Sequence, residues 1–370
     1  MPNKGEWSEP YAALKILGEG KLYIADENGQ RNPNEWMSII ELIRHETSER
    51  IVTYRYQEEN VDIDILVNGR LIVTVPAQEF LQMADELAYE IRTGRKASFD
   101  VSENIQKFLY RIELRNIKAD SINKSDVFLS VRDPRAGVVR NHIGFSIKSS
   151  FGKDPTLFNT AKASGFIYHL QNVTDDEMEA VNSIFDKKNH AAVSERCDLI
   201  KEFCNPTFYG LPVAARARCK AFEENLDLID TRLVSIIERI LWNHFFEHET
   251  ETDLPILVEK LINENPCGLT RPEVKYPYIL KSFIFAAYCG MTASTLWDGR
   301  SEVNGGFIKV SEDGEVLAYY ALESDAFKTY LLNNCYFEFP STDSGHGDYG
   351  YIYKVNGEYY FNLNFQIRYR

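Results

Sequence analysis

The chain has 370 residues, of which 44% are hydrophobic and 26% charged, a composition that indicates a globular protein and excludes a disordered chain. It contains no run of about 18 apolar residues, so we expect no membrane-spanning helix. The formal net charge of −14 argues against nonspecific nucleic-acid binding through bulk charge, although a cleft with local basic residues is compatible with it.

The cysteines and the N-terminus are those expected of a cytoplasmic protein. The first ten residues, MPNKGEWSEP, contain no apolar stretch of the kind that a secretory signal requires. No two cysteines have CxxC spacing, which argues against a zinc site. We therefore expect reduced thiols at six positions: Cys197, Cys204, Cys219, Cys267, Cys289 and Cys335.

The N-terminal part of the sequence alternates helix and strand signals. Residues 8–17 predict a short helix with Ser8 as its N-cap and Pro10 in its first turn. Residues 21–26 predict a strand, and residues 33–46 predict a second helix.

The pair Asn68–Gly69 predicts a hairpin over residues 61–75, because these residue types favour the positive φ angles that its turn requires. The remaining elements of this part are helices over residues 77–94 and about 100–113, and strands within residues 125–131, 143–149 and 166–171.

The pattern of apolar and polar residues changes twice along the sequence. From about residue 174 to 295, long amphipathic stretches favour helices. After about residue 303, short Tyr- and Phe-rich runs favour strands, with a second hairpin turning at Asn356 and Gly357. These changes predict three regions: a mixed α/β region over residues 1–173, a helical region over 174–300 and a β-rich region over 301–370.

A polar pair stands out on the two strands that follow residue 125. In IGFSIKS, apolar residues alternate with glycine, Ser146 and Lys148, so strand geometry puts Ser146 and Lys148 together on the face opposite the core. In SDVFLSV, the apolar set leaves Asp126 facing the other way. If the two strands are antiparallel neighbours, Asp126 lies beside Lys148.

Such a cluster supplies what phosphodiester hydrolysis needs. The Asp126 carboxylate and the main-chain carbonyl of Ile147 are oxygen ligands for a divalent cation, which polarises the phosphate and lowers the pKa of a bound water. Lys148 can orient that water or offset charge that builds on the phosphate. The alternative is a surface Asp and a Lys on a half-buried sheet, because an Asp…x-Lys pattern recurs by chance.

Three separated blocks together resemble the HpaII family of type II restriction endonucleases: KGEWSEPYAALKIL near the start, GFSIKSSFGKDPTLFN in the middle and YGYIYKVNGEYYFNLNFQIRYR at the end. The resemblance spans most of the chain. It implies an α+β fold with a nuclease core of the PD-(D/E)xK class, in which a helix, a three-stranded antiparallel meander, a helix and a further strand follow one another. The core would lie within residues 1–173, with a DNA-recognition region over 301–370.

The resemblance also implies the activity and the site. We expect Mg²⁺-dependent cleavage of double-stranded DNA at CCGG or a sequence containing it, leaving 5′-phosphate ends, and a DNA methyltransferase of the same specificity as the companion enzyme. Carried over position by position, Asp126 is the metal-binding acid, Ile147 lends its carbonyl and Lys148 is the motif lysine. Asn159 lies in a family-like block and is expected at the site or on the DNA, or else as a helix cap.

Ser146 departs from the class pattern, because the second carboxylate belongs at this position. An acid from another element can supply the missing carboxylate: Glu6 or Glu9 on the first helix is favoured, and Glu103 is a second candidate. For Glu6 and Glu9, the alternative is charge that complements the helix dipole. Alternatively, the site has a single carboxylate, and Ser146 holds a metal-bound water.

Base-reading residues are expected in the tail, where polar side chains alternate with apolar ones. Guanine in the major groove favours Arg or Lys, and cytosine favours an acceptor. A palindromic site suits a two-fold homodimer, although some enzymes of this class bind as monomers. The candidates in the tail are Asn362, Asn364, Gln366 and Arg368, and those for phosphates are Arg216 and Arg218 in AARARCK and the basic residues of RTGRK (92–96); the alternative for both sets is solvated surface.

Two other functions fit parts of the sequence. HFFEH, residues 244–248, matches the HxxEH pattern of a group of zinc metallopeptidases, with His244 and His248 on one helix face. The alternative is that these histidines border a packed helix. Because of Ser146, a catalytically inactive DNA-binding protein also fits.

Overall fold

The computed structural model describes twelve stretches of the chain, and it divides the chain into two compact units. The described residues are 2–26, 28–94, 98–118, 125–134, 137–151, 154, 156–185, 192–211, 220–300, 305–320, 324–339 and 349–370, without the side chains of Lys220 and Ser324. Unit 1 comprises Met1–Pro155 and Ser301–Tyr330, and unit 2 comprises Thr156–Arg300 and Leu331–Arg370. The units are defined by contacts between residues, whereas the three regions predicted above are defined by the type of element that each stretch of sequence favours. The two divisions differ.

Unit 1 combines one large sheet with helices. Elements are numbered in chain order. Its helices are α1 (Lys4–Glu19), α2 (Ala77–Thr93) and α3 (Glu103–Arg111), and its strands are β1 (Lys21–Ala25), β2 (Arg31–Thr47), β3 (Arg50–Gln57), β4 (Asp62–Val67), β5 (Arg70–Pro76), β6 (Val127–Asp133), β7 (Val138–Ser149), β11 (Gly306–Val310) and β12 (Val316–Tyr320).

The nine strands form one mixed sheet in the order β1-β12-β11-β7-β6-β2-β3-β4-β5. Strand β1 pairs with β12 and also with β2, so that six of the strands close into a barrel. Strands β2, β6 and β7 are antiparallel neighbours, whereas β11 runs parallel to β7. Apolar side chains of α1, α2 and α3 pack with those of the sheet in one core, which fixes the helices against one face of the strands.

Helix α1 is longer at its N-terminus than predicted. Asn3, and not Ser8, is its N-cap: the Asn3 side chain accepts a hydrogen bond from the N–H of Glu6 at 2.9 Å, and the Glu6 carboxylate accepts one from the N–H of Asn3 at 2.8 Å. Pro10 therefore lies inside the helix and not in its first turn. Ser8 is buried and donates to the Ser149 hydroxyl at 2.6 Å, which ties α1 to β7.

The predicted helix over residues 33–46 is wrong, because this segment lies within the 17-residue strand β2. Its buried apolar residues include Met37, Ile39 and Leu42. The pairing with β6 shifts register between Ile39 and Glu41, which marks a bulge. The bulge changes the spacing of core-facing residues from two to three, and a spacing of three imitates the period of a helix.

Most other predictions for unit 1 are confirmed. The hairpin turns at Asn68 and Gly69, which have φ of 48° and 79°, and the predicted helices and paired strands are present as α2, α3, β6 and β7. Strand β3 was not predicted.

Unit 2 contains helices and two small sheets. Its helices are α4 (Asp175–Asn182), α5 (Val193–Phe203), α6 (Lys220–Ile229), α7 (Leu233–Phe246), α8 (Leu254–Glu264) and α9 (Pro272–Tyr288), and its strands are β8 (Thr156–Phe158), β9 (Phe166–Leu170), β10 (Thr207–Gly210), β13 (Cys335–Glu338), β14 (Ile352–Val355), β15 (Glu358–Leu363) and β16 (Gln366–Tyr369). Helix α10 (Ser324–Asn334), which was not predicted, is divided between the units. The sheets have the orders β10-β9-β15-β14 and β13-β16-β8.

The tail confirms the second hairpin and corrects its polar face. Strands β14 and β15 join at Asn356 and Gly357, both with positive φ. The chain then leaves that sheet after Leu363 and enters the other one at Gln366. Because the strand is interrupted, the predicted alternation across residues 362–368 does not form one continuous face.

None of the helices in the described ranges is both long and apolar enough to cross a lipid bilayer.

Candidate active site

Asp126 stands immediately before β6 and is bound to β7. Its N–H donates to the Phe145 carbonyl at 2.9 Å. Its Oδ2 accepts two hydrogen bonds, from the Ile147 N–H at 2.5 Å and from the Ser146 hydroxyl at 3.0 Å. Because pairing between β6 and β7 ends at Val127, the carboxylate takes the place of a backbone partner for β7.

The Ile147 carbonyl leaves β7 on the same edge as Asp126. In an extended strand the N–H and C=O of one residue point to the same neighbour. Since the Ile147 N–H is bonded to Asp126, its carbonyl oxygen is directed to that side, where β6 has already ended. The edge therefore presents a carboxylate and a carbonyl oxygen side by side.

Lys148 and Ser146 share the face of β7 that turns away from the core, as predicted. Phe145 and Ile147 belong to the apolar core, and the residues between them alternate to the other side. Lys148 is half-buried, and within the described part of the chain no hydrogen bond or ion pair engages its ammonium group. Its cation is thus available to a ligand on the side where Ser146 contacts Asp126.

Two acids of α1 lie near this edge. The Glu6 carboxylate is 2.7 Å from the Lys118 ammonium, and the Glu9 carboxylate is 3.9 Å from the Arg44 guanidinium. The hydrogen bond to Glu6 raises the pKa of Lys118, and the charges of Glu9 and Asp126 raise it further. The bond to Lys118 likewise lowers the pKa of Glu6. The acids of α1 and Asp126 therefore lie around one ammonium group.

Glu103 lies elsewhere. Its side chain is 80% exposed and forms an ion pair with Lys107 at 2.7 Å on the surface of α3. We therefore assign Glu103 to the helix surface and not to the group of charges around Asp126.

A buried ion pair that was not predicted supports these charges. Arg44 and Glu46 on β2 have fully buried side chains 3.4 Å apart. Arg44 donates to the carbonyls of Asn116 and Ile117, and Glu46 accepts from the N–H groups of Arg115 and Asn116. The pair holds the segment that leads to Lys118. The only signal in the sequence is an Arg and a Glu two residues apart in the segment ELIRHET (41–47).

Asn364 has a structural role, which corrects its place among the DNA-reading candidates. It is fully buried. Its Oδ1 accepts from the Ser164 hydroxyl and from the Phe365 N–H, both at 2.9 Å, and its Nδ2 donates to the Ala161 carbonyl at 2.8 Å. With these three bonds made inside the protein, the amide is not presented to a base.

The other DNA-binding candidates have different surroundings. Gln366 and Arg368 are half-buried neighbours on β16 that both donate to the Glu338 carboxylate on β13. Asn159 follows β8 and is exposed; it is not the cap of the short 3₁₀ helix that follows, whose N-cap is Ala161. Arg216 and Arg218, and Arg95 and Lys96 of RTGRK, lie outside the described residues.

The histidines of HFFEH do not form a zinc site, so this prediction is wrong. The His244 ring stacks on Phe339 at 3.9 Å, and its Nδ1 lies 2.7 Å from the Glu249 carbonyl oxygen. His248 follows the end of α7, has φ of 57° and forms an ion pair with Asp198 at 2.8 Å. The helix that would align the two rings has ended before the second one.

Across the residues that the structure describes, no three Asp, Glu, His or Cys side chains are close enough to hold a metal ion together. A cation at Asp126 would thus have few protein carboxylates, which is compatible with Mg²⁺, an ion that keeps several waters.

Comparison with known proteins identifies the family. The model of the HpaII restriction endonuclease family matches residues 3–369. The chain belongs to this family. The type II restriction enzyme HpaII of Haemophilus parainfluenzae is 32% identical to it over 371 residues, which cover 99% of this chain and 98% of that enzyme. No solved structure matches the chain.

The resemblance found in the sequence is thereby confirmed. This member of the HpaII family is a type II site-specific deoxyribonuclease, and DNA is its substrate.

We predict that Glu46→Ala destabilises the fold by roughly 3–5 kcal/mol, because it leaves the Arg44 charge buried without its partner. The check is the free energy of unfolding in urea. Glu49→Ala, an exposed acid at the end of the same strand hairpin, is the matched control and should change this free energy by less than about 0.5 kcal/mol. A similar small change in both variants would contradict the assignment of Arg44 and Glu46 as a supporting pair.

Proposed function

We propose that this restriction endonuclease hydrolyses double-stranded DNA at CCGG, or a sequence containing it, with Mg²⁺ as its cofactor, and leaves 5′-phosphate ends. The proposed centre is of the PD-(D/E)xK class, with Asp126, Ile147 and Lys148 at its motif positions. The observation that carries the proposal is the contact of the Asp126 carboxylate with β7, just before the free ammonium of Lys148.

The order of elements supports a PD-(D/E)xK core. Helix α1 is followed by the antiparallel strands β2, β6 and β7, and then by β11, which lies parallel to β7. These are three of the four parts expected of the class, with β3–β5 and two helices inserted between the first two strands of the meander. The second helix, expected between the meander and the further strand, is not assigned to an element. The core would thus draw its last strand from beyond residue 300.

The donor set at Asp126 fits a hard divalent cation. A carboxylate and a main-chain carbonyl meet on one strand edge, and Mg²⁺ binds through one or two carboxylates together with substrate phosphate. When bound, the cation supplies Lewis-acid polarisation of the scissile phosphate.

The side chains of the protein prepare the site for the phosphate. The Ser146 hydroxyl and the Ile147 N–H fix the orientation of the Asp126 carboxylate, so little reorganisation is needed when the substrate arrives. The Lys148 ammonium can donate to a phosphate oxygen and offset the negative charge that grows on it. Ser146 is a positioning residue in this scheme and not a replacement acid.

Glu9 is the acid that we propose in place of the carboxylate missing at Ser146. Glu6 closes the capping box of α1 and forms an ion pair with Lys118, so its charge already has two partners. Glu9 is one turn further along α1, with its carboxylate 3.9 Å from the Arg44 guanidinium. Its charge acts on the same ammonium as that of Asp126.

Gln366 and Arg368 are the residues that we propose for base reading in unit 2. Arg is the usual partner of guanine, whereas a carboxylate such as that of Glu338 can accept from cytosine. Gln366 and Arg368 each donate a hydrogen bond to Glu338. A homodimer and a methyltransferase of the same specificity complete the proposal, since a palindromic site is read twice and host DNA needs protection.

Asp126→Ala and Lys148→Ala should each lower the cleavage rate at least about 100-fold, because each removes a group that acts on the reacting phosphate. The assay is plasmid cleavage with Mg²⁺, with EDTA as the metal-free arm, alongside duplex binding. Asp85→Ala and Lys107→Ala replace exposed residues of α2 and α3 and are matched controls. Near-normal cleavage by either site variant would refute the proposed centre.

Glu9→Gln should raise the Mg²⁺ concentration needed for half-maximal cleavage several-fold, because a charged ligand is lost. Glu6→Gln should instead lower stability by about 1 kcal/mol through the helix cap. The two measurements are a Mg²⁺ titration of the cleavage rate and thermal unfolding. An unchanged Mg²⁺ requirement in Glu9→Gln would eliminate Glu9 as the second acid.

Digestion of a mapped DNA followed by sequencing of the fragment ends should place every cut within CCGG and find 5′-phosphates. Cuts at an unrelated sequence would overturn the proposed specificity, although the assignment of Asp126 and Lys148 would stand.

A further inference from the structure

A groove of about 510 Å³ lies on the face of the nine-stranded sheet that turns away from the apolar core. Its position follows from strand alternation: Leu42, Val52 and Leu129 are fully buried in the core, and their sequence neighbours line the groove. The lining residues are Glu41, Ile43, His45, Ile51, Thr53, Arg55, Phe128 and His142.

The groove lies on the same face of the sheet as Ser146 of the candidate site. Ile43 lies opposite Phe128, and Phe128 lies opposite Gly144. Residues paired across a sheet project to the same face, and Ser146 is two residues beyond Gly144. From His142 to Ser146, four residues of strand span roughly 13 Å, which corresponds to about four base-pair steps of 3.4 Å.

His142 is held in an unfavourable backbone conformation at the groove. Its φ is 55°, in the left-handed region that favours glycine. It lies where the pairing of β6 with β7 shifts register between Leu129 and Val131, and its N–H donates to the Ser130 hydroxyl at 3.4 Å. A bulge of this kind redirects a side chain, and backbone strain of this kind is concentrated at functional sites.

The groove offers hydrogen-bond donors to a ligand. Among the described residues, neither the His45 imidazole nor the His142 imidazole has a hydrogen-bond partner. Arg55 lies at the rim, 48% exposed, with its charge shared with Glu41 at 2.8 Å. The Phe128 ring meets His45 edge-on at 5.2 Å and gives the groove an aromatic surface. Imidazole and guanidinium donors beside an aromatic ring suit the phosphates and sugars of a nucleic-acid strand.

We propose that this groove binds the sugar–phosphate backbone of the DNA substrate to one side of the scissile phosphate, with His142 and His45 as the contacting residues. The inference rests on the proposed function, because the catalytic residues at the end of the groove define where the scissile phosphate lies.

His142→Gly tests the proposal, because it removes the imidazole and also relieves the left-handed strain. Binding should weaken roughly 5- to 10-fold, because a hydrogen-bond donor to the DNA backbone is lost. The melting temperature should stay the same or rise. KM for cleavage should rise by more than kcat falls. Binding is measured in EDTA with two 20-base-pair duplexes, one containing CCGG and one lacking it, and both should weaken alike.

His248→Gly is the matched control. His248 is an exposed histidine with nearly the same φ, 57°, and lies in unit 2. Its replacement should leave DNA binding unchanged. His45→Ala, in which no backbone strain is involved, should weaken binding in the same direction as His142→Gly.

The outcomes are distinct. Unchanged affinity in both His142→Gly and His45→Ala, with Asp126→Ala still inactive, would overturn the groove and leave the catalytic centre standing. A lower melting temperature in His142→Gly, with weaker binding that His45→Ala does not share, would show that His142 is structural and would also overturn it. If Asp126→Ala cleaves normally, it is the proposed function that fails.

Discussion

The attachment of the Asp126 carboxylate to the edge of β7 is the interaction on which the site depends. Where β6 ends, β7 loses its backbone partner, and the carboxylate satisfies the exposed N–H of Ile147. One hydrogen bond thus completes the sheet and orients an acid. Ser146 adds a neutral donor to the same oxygen. A second carboxylate here would repel Asp126 in the absence of a cation, so serine favours an ordered Asp126 carboxylate. In the proposed site, an acid of α1 supplies the second negative charge.

The ion pair behind this edge, Arg44 and Glu46, has a larger desolvation cost than the groups at the edge itself. Arg44 and Glu46 are buried without solvent, where an ion pair is stabilising only when its remaining hydrogen bonds are made. Here the backbone of residues 115–117 makes four of them. Among the described residues, Arg44 Nη1 has no hydrogen-bond partner and lies 3.9 Å from the Glu9 carboxylate. The hydrogen bonds to the backbone require one conformation of residues 115–117, so the buried pair holds that segment in place. Its consequence is the position of Lys118 beside Glu6.

The sequence predicts the arrangement of Ser146 and Lys148 on β7 better than it predicts the sheet around them. Strand alternation, which is a local rule, puts both on one face of β7, where Ser146 contacts Asp126. Strand β2 was taken for a helix because its bulge alters the spacing of core residues, and a bulge depends on the partner strand. Asn364 was misassigned for a related reason: the tail changes sheets between Leu363 and Gln366, so the alternating pattern ends there. In both cases the outcome depends on pairing between strands that are far apart in the sequence, and a local sequence pattern does not indicate such pairing.

The charge of the chain bears on how DNA is held. With a net charge of −14, the surface as a whole does not attract a polyanion, and nonspecific affinity depends on counterion release at a few cationic contacts. Under the proposals above, affinity comes from local donors, such as those in the groove at His142 in unit 1 and Arg368 beside Glu338 in unit 2. An acidic exterior with few phosphate contacts therefore favours release of DNA that lacks the site, which a site-specific endonuclease requires.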